Sequence, residues 1–155
     1  MKINIIFISI LTLLFSCNKV KRASKLLMKG EKWEVTSVKV DNNSITEIDN
    51  SKTTWEIEQG VDIYKAVPQL IWKKDSSNSA ILEWQYQEKA KKFVLNYIQQ
   101  SEECDGSQID ELDSLSNLLS GTYDLEKRKR KNIIFKSSNI VGYPNQEVTI
   151  EIKKK

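Results

Sequence analysis

The chain has 155 residues, two cysteines, no histidine, and 24 lysines and arginines against 21 aspartates and glutamates, for a formal charge of +3. So small an excess argues against a dedicated nucleic-acid binder, which would normally carry a strong basic surplus. The lack of histidine removes the usual general base, the histidine triads and the commonest metal ligand together, so no catalytic residue and no metal site is expected.

Met1-Lys2 sets one positive charge before a run, residues 3–15, that is apolar except for Asn4, Ser9 and Thr12. A charged start and an apolar stretch of this length read as a signal peptide, because a spanning helix needs ~20 apolar residues. The run ends in Leu14-Phe15-Ser16-Cys17, which resembles a bacterial lipobox, with Leu14 at −3, the small Ser16 at −1 and Cys17 as acceptor. The resemblance implies a diacylglyceryl group on the Cys17 thiol, cleavage after Ser16 and acylation of the new amino terminus. Several acyl chains hold a protein firmly on a membrane where one alone is marginal.

The expected division is a signal peptide over residues 1–16, a lipid-anchored tether over 17–25 and one domain over 26–155. Removal of 16 residues from 155 leaves 139, enough to bury a sizeable core. Asn18, rather than an aspartate, follows Cys17, and no acidic run comes next. By the lipoprotein resemblance this places the domain in the cell envelope, at the periplasmic face of the outer membrane. With Cys17 lipidated, Cys104 has no partner for an intramolecular disulfide. Lys19, Lys21, Arg22 and Lys25 either meet anionic headgroups or belong to a solvated linker.

Ser24 to Gly30 reads as one or two helical turns, with Ser24 as N-cap and Gly30 as the stop. The period then changes to two. Trp33 and Val35 are in one phase and Val38 and Val40 in the other, a slip that predicts a bulge or bend. Asp41 to Ser44 is a turn. Trp55 and Ile57 form a short strand that stops at Gly60. Residues 63–74 are extended but interrupted by Pro68, which cannot donate to a ladder. After a polar loop over residues 75–79, Leu82, Trp84 and Tyr86 alternate with Glu83, Gln85 and Gln87. A turn over Glu88 to Lys91 leads to Phe93, Leu95 and Tyr97, so the two runs form a hairpin.

Ser107 to Leu119 carries Ile109, Leu112, Leu115 and Leu119 at helical spacing, with Asp110, Glu111 and Asp113 early, where carboxylates suit the helix dipole. Gly121 ends it. Tyr123 and Leu125 begin a second hairpin whose return is Ile133 to Phe135, with the basic run Glu126 to Lys131 at its tip. Val148, Ile150 and Ile152 form the last strand. The acids between Glu102 and Glu111 do not follow calcium-loop spacing.

The fold class is therefore mainly β: about eight antiparallel strands in a meander, with a short N-terminal helix and one helix near 107–119. Gly30-Glu-Lys-Trp33 resembles the Gly-Trp opening of the lipocalins. The pairs Leu82-Glu-Trp84 with Phe93-Val-Leu95, and Tyr123-Asp-Leu125 with Ile133-Ile-Phe135, resemble the later hairpins of small lipocalin-like lipoproteins common in Bacteroidetes. The resemblance implies a closed barrel that takes a small apolar ligand, lined by Trp33, Trp55, Trp72, Trp84, Tyr86, Phe93, Tyr97 and Tyr123. Two readings stay open. In one these rings wall a cup. In the other they fill the barrel, and the protein works through its surface on an envelope partner, with Val38, Val40, Val94, Ile98 and Leu112 as a candidate exposed patch.

Overall fold

A computed structural model describes residues 19–30, 32–45, 53–57, 68–74, 79–98 and 111–155. Cys17, Cys104, the acids at 102–110 and residues 63–67, expected to be extended, lie outside that set. The strands are β1 (Lys32–Val40), β2 (Asn43–Ser44), β3 (Thr54–Ile57), β4 (Gln69–Lys73), β5 (Ser79–Gln87), β6 (Lys92–Tyr97), β7 (Gly121–Lys129), β8 (Asn132–Ile140) and β9 (Tyr143–Lys154). Helix α1 covers residues 19–28 and α2 is Glu111–Leu118.

Each strand pairs antiparallel with its neighbour in one sheet, and β1 also pairs with β9. Since β2 is a two-residue stub, the other eight strands make a closed up-and-down barrel, the architecture the lipocalin resemblance implies. Closure leaves the barrel no open sheet edge. Every described strand, both helices and the core lie between Lys19 and Lys155, so this stretch holds all that a self-standing domain needs.

The apolar slip in β1 is a bulge. Its register against β9 shifts between Val35 and Ser37, and Thr36, the extra residue, donates from Oγ1 to the Glu151 carbonyl at 3.1 Å. One inserted residue lets Trp33, Val35 and Val38 all reach the core despite the change of phase. The turn after β1 is tighter than expected. Asp41 and Asn42, at φ 49° and 67°, make it alone, while Asn43 and Ser44 pair with Val40 and Lys39. Asparagine and aspartate tolerate the left-handed conformation that two-residue hairpin turns demand.

Helix α1 already covers residue 19, ahead of Ser24, so the segment read as a tether is helical from Lys19 onward. The physical reason is an apolar stripe: Val20, Ala23 and Leu27 recur at spacings of three and four and face the core. The Leu27 carbonyl at the helix end accepts from Trp33 Nε1 at 2.9 Å and from the Gly30 amide at 3.0 Å. Lys154 Nζ donates to the Lys29 carbonyl at 3.1 Å. Carbonyls that a helix cannot satisfy internally are thus met by the barrel.

Helix α2 crosses the opposite end, over β5 and β6. Leu112, Leu115 and Leu119 enter the core, as their spacing predicts. Its last carbonyls are met by the β8–β9 turn, where the Gly142 amide donates to Leu118 at 2.9 Å and the Val141 amide to Ser120 at 3.2 Å. On the outer wall, Glu56 bridges Lys32 at 2.6 Å and Lys73 at 2.8 Å across three strands. The hydrogen bonds from Lys32 and then Lys73 hold its carboxyl below the usual carboxylate range.

Candidate functional site: the aromatic barrel interior

Register brings the tryptophans together. Trp33 on β1 stands opposite Trp55 on β3, which stands opposite Trp72 on β4, so three indoles from three successive strands point inward at one level. Opposite Trp72, β5 presents Ala80, a small side chain beside a large one. Further along, Trp84 pairs with Leu95, and Tyr86 with Phe93, which in turn faces Tyr123 on β7. Side chains on one face of a strand alternate with a period of two, and each of these falls on the inward phase.

Seven of the eight residues expected to line a cup are buried, and Tyr97, at the end of β6, is half-buried. They do not stand apart around a space. Phe93 stacks on Phe135 from β8 with ring centres 4.5 Å apart. It also touches Tyr86 at 5.3 Å, Trp84 at 6.1 Å and Trp55 at 6.3 Å. Trp55 in turn meets Phe135 at 6.0 Å and Trp72 edge-on at 5.9 Å. Rings from β3, β5, β6 and β8 therefore meet across the barrel. Trp33, Trp55, Trp72, Phe93 and Phe135 have 0% of their surface exposed. Phe135 is the central residue that sequence reasoning left out of the lining. Its signal was present, since it alternates with Ile133 on the inward phase, but nothing in the alternation reveals what it meets across the barrel.

The polar tips of these rings divide into two sets. Trp33 Nε1 reaches the Leu27 carbonyl, Trp84 Nε1 reaches the Gln69 carbonyl at 3.3 Å, and the Tyr123 hydroxyl donates to the Leu119 carbonyl at 2.5 Å. These bonds tie both helices and the barrel wall to the interior. Trp55 Nε1, Trp72 Nε1 and the Tyr86 hydroxyl are buried with no protein acceptor. Burial pushes the Tyr86 and Tyr123 phenols far above their ordinary range; the Arg128 charge opposes this slightly at Tyr86.

The expected apolar patch does not form. Val38 and Leu112 are core residues, and Val40, Val94 and Ile98 are half-buried. The bulge turns Val38 inward, and α2 carries Leu112 into the barrel end. Among the described residues the exposed large apolar side chains are Leu118 and Val141, neighbours where α2 meets the β8–β9 turn. A polar surface groove of about 570 Å³ lies between β7 and β8, lined by residues such as Thr122, Ser137, Ser138 and Asn139, where the register shifts between Gly121 and Asp124. Among the described residues no three acids or cysteines gather as metal ligands, and no helix is long and apolar enough to cross a membrane. Comparison of the chain with protein-family models, with curated proteins and with solved structures returns no match.

Proposed function

We propose that this chain is a lipoprotein of the cell envelope, anchored through acyl chains on Cys17 at the periplasmic face of the outer membrane, and that its barrel is a packed module that acts through its outer surface on an envelope partner. The observation that carries the packed reading is the ring stack joining Phe93, Phe135 and Trp55 across the barrel with none of their surface exposed. A cup would leave such rings facing an accessible space. Support for the anchor is Leu14-Phe15-Ser16-Cys17 and the apolar run before it. The reading involves no catalysis. Glu34, Glu56, Glu83 and Glu151 alternate with buried residues along their strands and so point outward rather than toward one another across a cleft.

A second reading has an observation of its own. Three buried donors without acceptors, Trp55 Nε1, Trp72 Nε1 and the Tyr86 hydroxyl, each carry a desolvation cost of about 1–3 kcal/mol. A small, mostly apolar molecule bearing acceptor oxygens would meet them once the rings moved apart to admit it.

The anchor is tested by metabolic labelling with a palmitate analogue. The wild-type chain is expected to take up label and fractionate with membranes, and Cys17→Ser is expected to lose the label and persist as uncleaved precursor. An unlabelled wild type, or a variant that labels equally, contradicts the proposal.

A further inference from the structure

The up-and-down topology sorts the connections into two groups. Helix α1, the β5–β6 turn, the β7–β8 hairpin tip and the end of β9 share one end of the barrel. The end of β9 is joined to its neighbours there: the Lys154 amide donates to the Lys131 carbonyl at 3.0 Å, the Lys155 amide to the Lys32 carbonyl at 3.3 Å, and Lys154 Nζ to the Lys29 carbonyl, while the Leu125 amide on β7 donates to the Lys91 carbonyl of the β5–β6 turn at 2.8 Å.

Among the described residues that end is strongly basic. On α1 and the two residues after it, every exposed side chain is a cation: Lys19, Lys21, Arg22, Lys25 and Lys29, with the apolar side turned into the barrel. Residues 127–131 at the hairpin tip and 153–155 at the end of β9 are all exposed lysines and arginines, and the exposed Lys89 and Lys91 lie in the β5–β6 turn. These four segments hold 15 of the chain's 24 basic residues, and their acids are Glu88 and Glu126. A sequence with nearly balanced charge has thus been folded into one strongly positive end. Charges so clustered and exposed create a field that draws a surface of opposite sign.

We propose that this end of the barrel is a docking face for an anionic phospholipid leaflet. Juxtamembrane clusters of lysine and arginine bind such surfaces, and the attraction falls off within a Debye length. Cys17 lies two residues before the first described residue of α1, so an anchor there would hold this same end at the headgroups. The proposal rests on the anchored reading for its place in the cell, but the binding itself belongs to the folded domain and needs no acyl chain. Docking would fix the barrel's orientation, with α2 and the Leu118–Val141 corner turned away from the membrane.

The test uses residues 18–155, which lack Cys17, and vesicles of phosphatidylcholine alone or with one third phosphatidylglycerol. Co-sedimentation is expected to be at least ~10-fold stronger with the anionic vesicles and to vanish at ~1 M salt, where charges are screened within ~3 Å. The double variant Arg130→Glu with Lys131→Glu, at an exposed turn, is expected to lose most of the binding. Lys39→Glu, toward the other end, should keep it. Equal binding to both vesicle types, no salt dependence, or an equal loss in Lys39→Glu overturns the proposal. Binding to neither vesicle also overturns it and leaves the basic end to an acidic protein. None of these outcomes depends on whether Cys17 is acylated, which the labelling experiment reads separately.

Discussion

Replacing Phe93 with alanine is expected to lower the unfolding free energy by about 3–5 kcal/mol, the cost of emptying a ring-sized space in a close-packed core. Phe93 is chosen because four rings lean on it: Phe135, Tyr86, Trp84 and Trp55. Two of these come from strands that are not its neighbours in the sheet, so its removal separates opposite walls of the barrel. Aromatic pairs contribute ~0.5–1.5 kcal/mol each beyond area burial, which places this site toward the upper part of that range. Chemical denaturation of residues 18–155 reads the change. A loss under ~1 kcal/mol, accompanied by uptake of an apolar dye in the wild type, would mean that Phe93 walls a space rather than filling one.

The second large effect is expected at Gly30. A Cβ added there would lie 2.0 Å from Trp33 Nε1 and 2.3 Å from Cε2, well inside van der Waals contact. The indole is buried and fully enclosed, so it has little freedom to yield. Gly30→Ala must therefore displace either the indole, breaking its bond to the Leu27 carbonyl, or the end of α1. Overpacking costs about 1–3 kcal/mol and an orphaned buried donor a similar amount, for a combined loss of about 2–6 kcal/mol. Hydrogen exchange over residues 19–28 should rise together with that loss, because the same bond caps the helix. Unchanged stability with unchanged exchange would show that Trp33 does not pin α1.

The two sites also show what the sequence makes legible. The spacing Gly30-Glu-Lys-Trp33 marks the start of the first barrel strand, and the reason is now physical: Gly30 leaves room for the indole that closes the barrel onto its helix. Strand positions follow from alternation, and even the bulge in β1 follows from the change of phase between Val35 and Val38. The turn at Glu88 to Lys91 and the Leu112, Leu115, Leu119 stripe were equally readable, because each depends on residues close in the chain.

What escaped depends on contacts between distant residues. Alternation assigns Trp55, Phe93 and Phe135 to the inward face, but whether rings from opposite walls meet depends on how the strands tilt and stagger around the barrel. The start of α1 was hidden because Lys19 to Arg22 read as a charged tether, while Val20 and Ala23 face the core only once a barrel end exists to receive them. Val38 and Leu112 read as surface in the sequence for the same reason, since a short apolar stripe does not say what covers it. The basic end is invisible in a net charge of +3. It arises because a meander returns every second connection to the same side.

A barrel interior filled by its own side chains has no room for a resident ligand. Native mass spectrometry of residues 18–155, purified from periplasm without detergent, decides whether one is present. A packed barrel gives the mass of the bare polypeptide, with no uptake of apolar dyes by the same preparation. A reproducible added mass that organic extraction removes would rule out the packed barrel, and would assign Trp55, Trp72 and Tyr86 to a binding site that opens for its ligand.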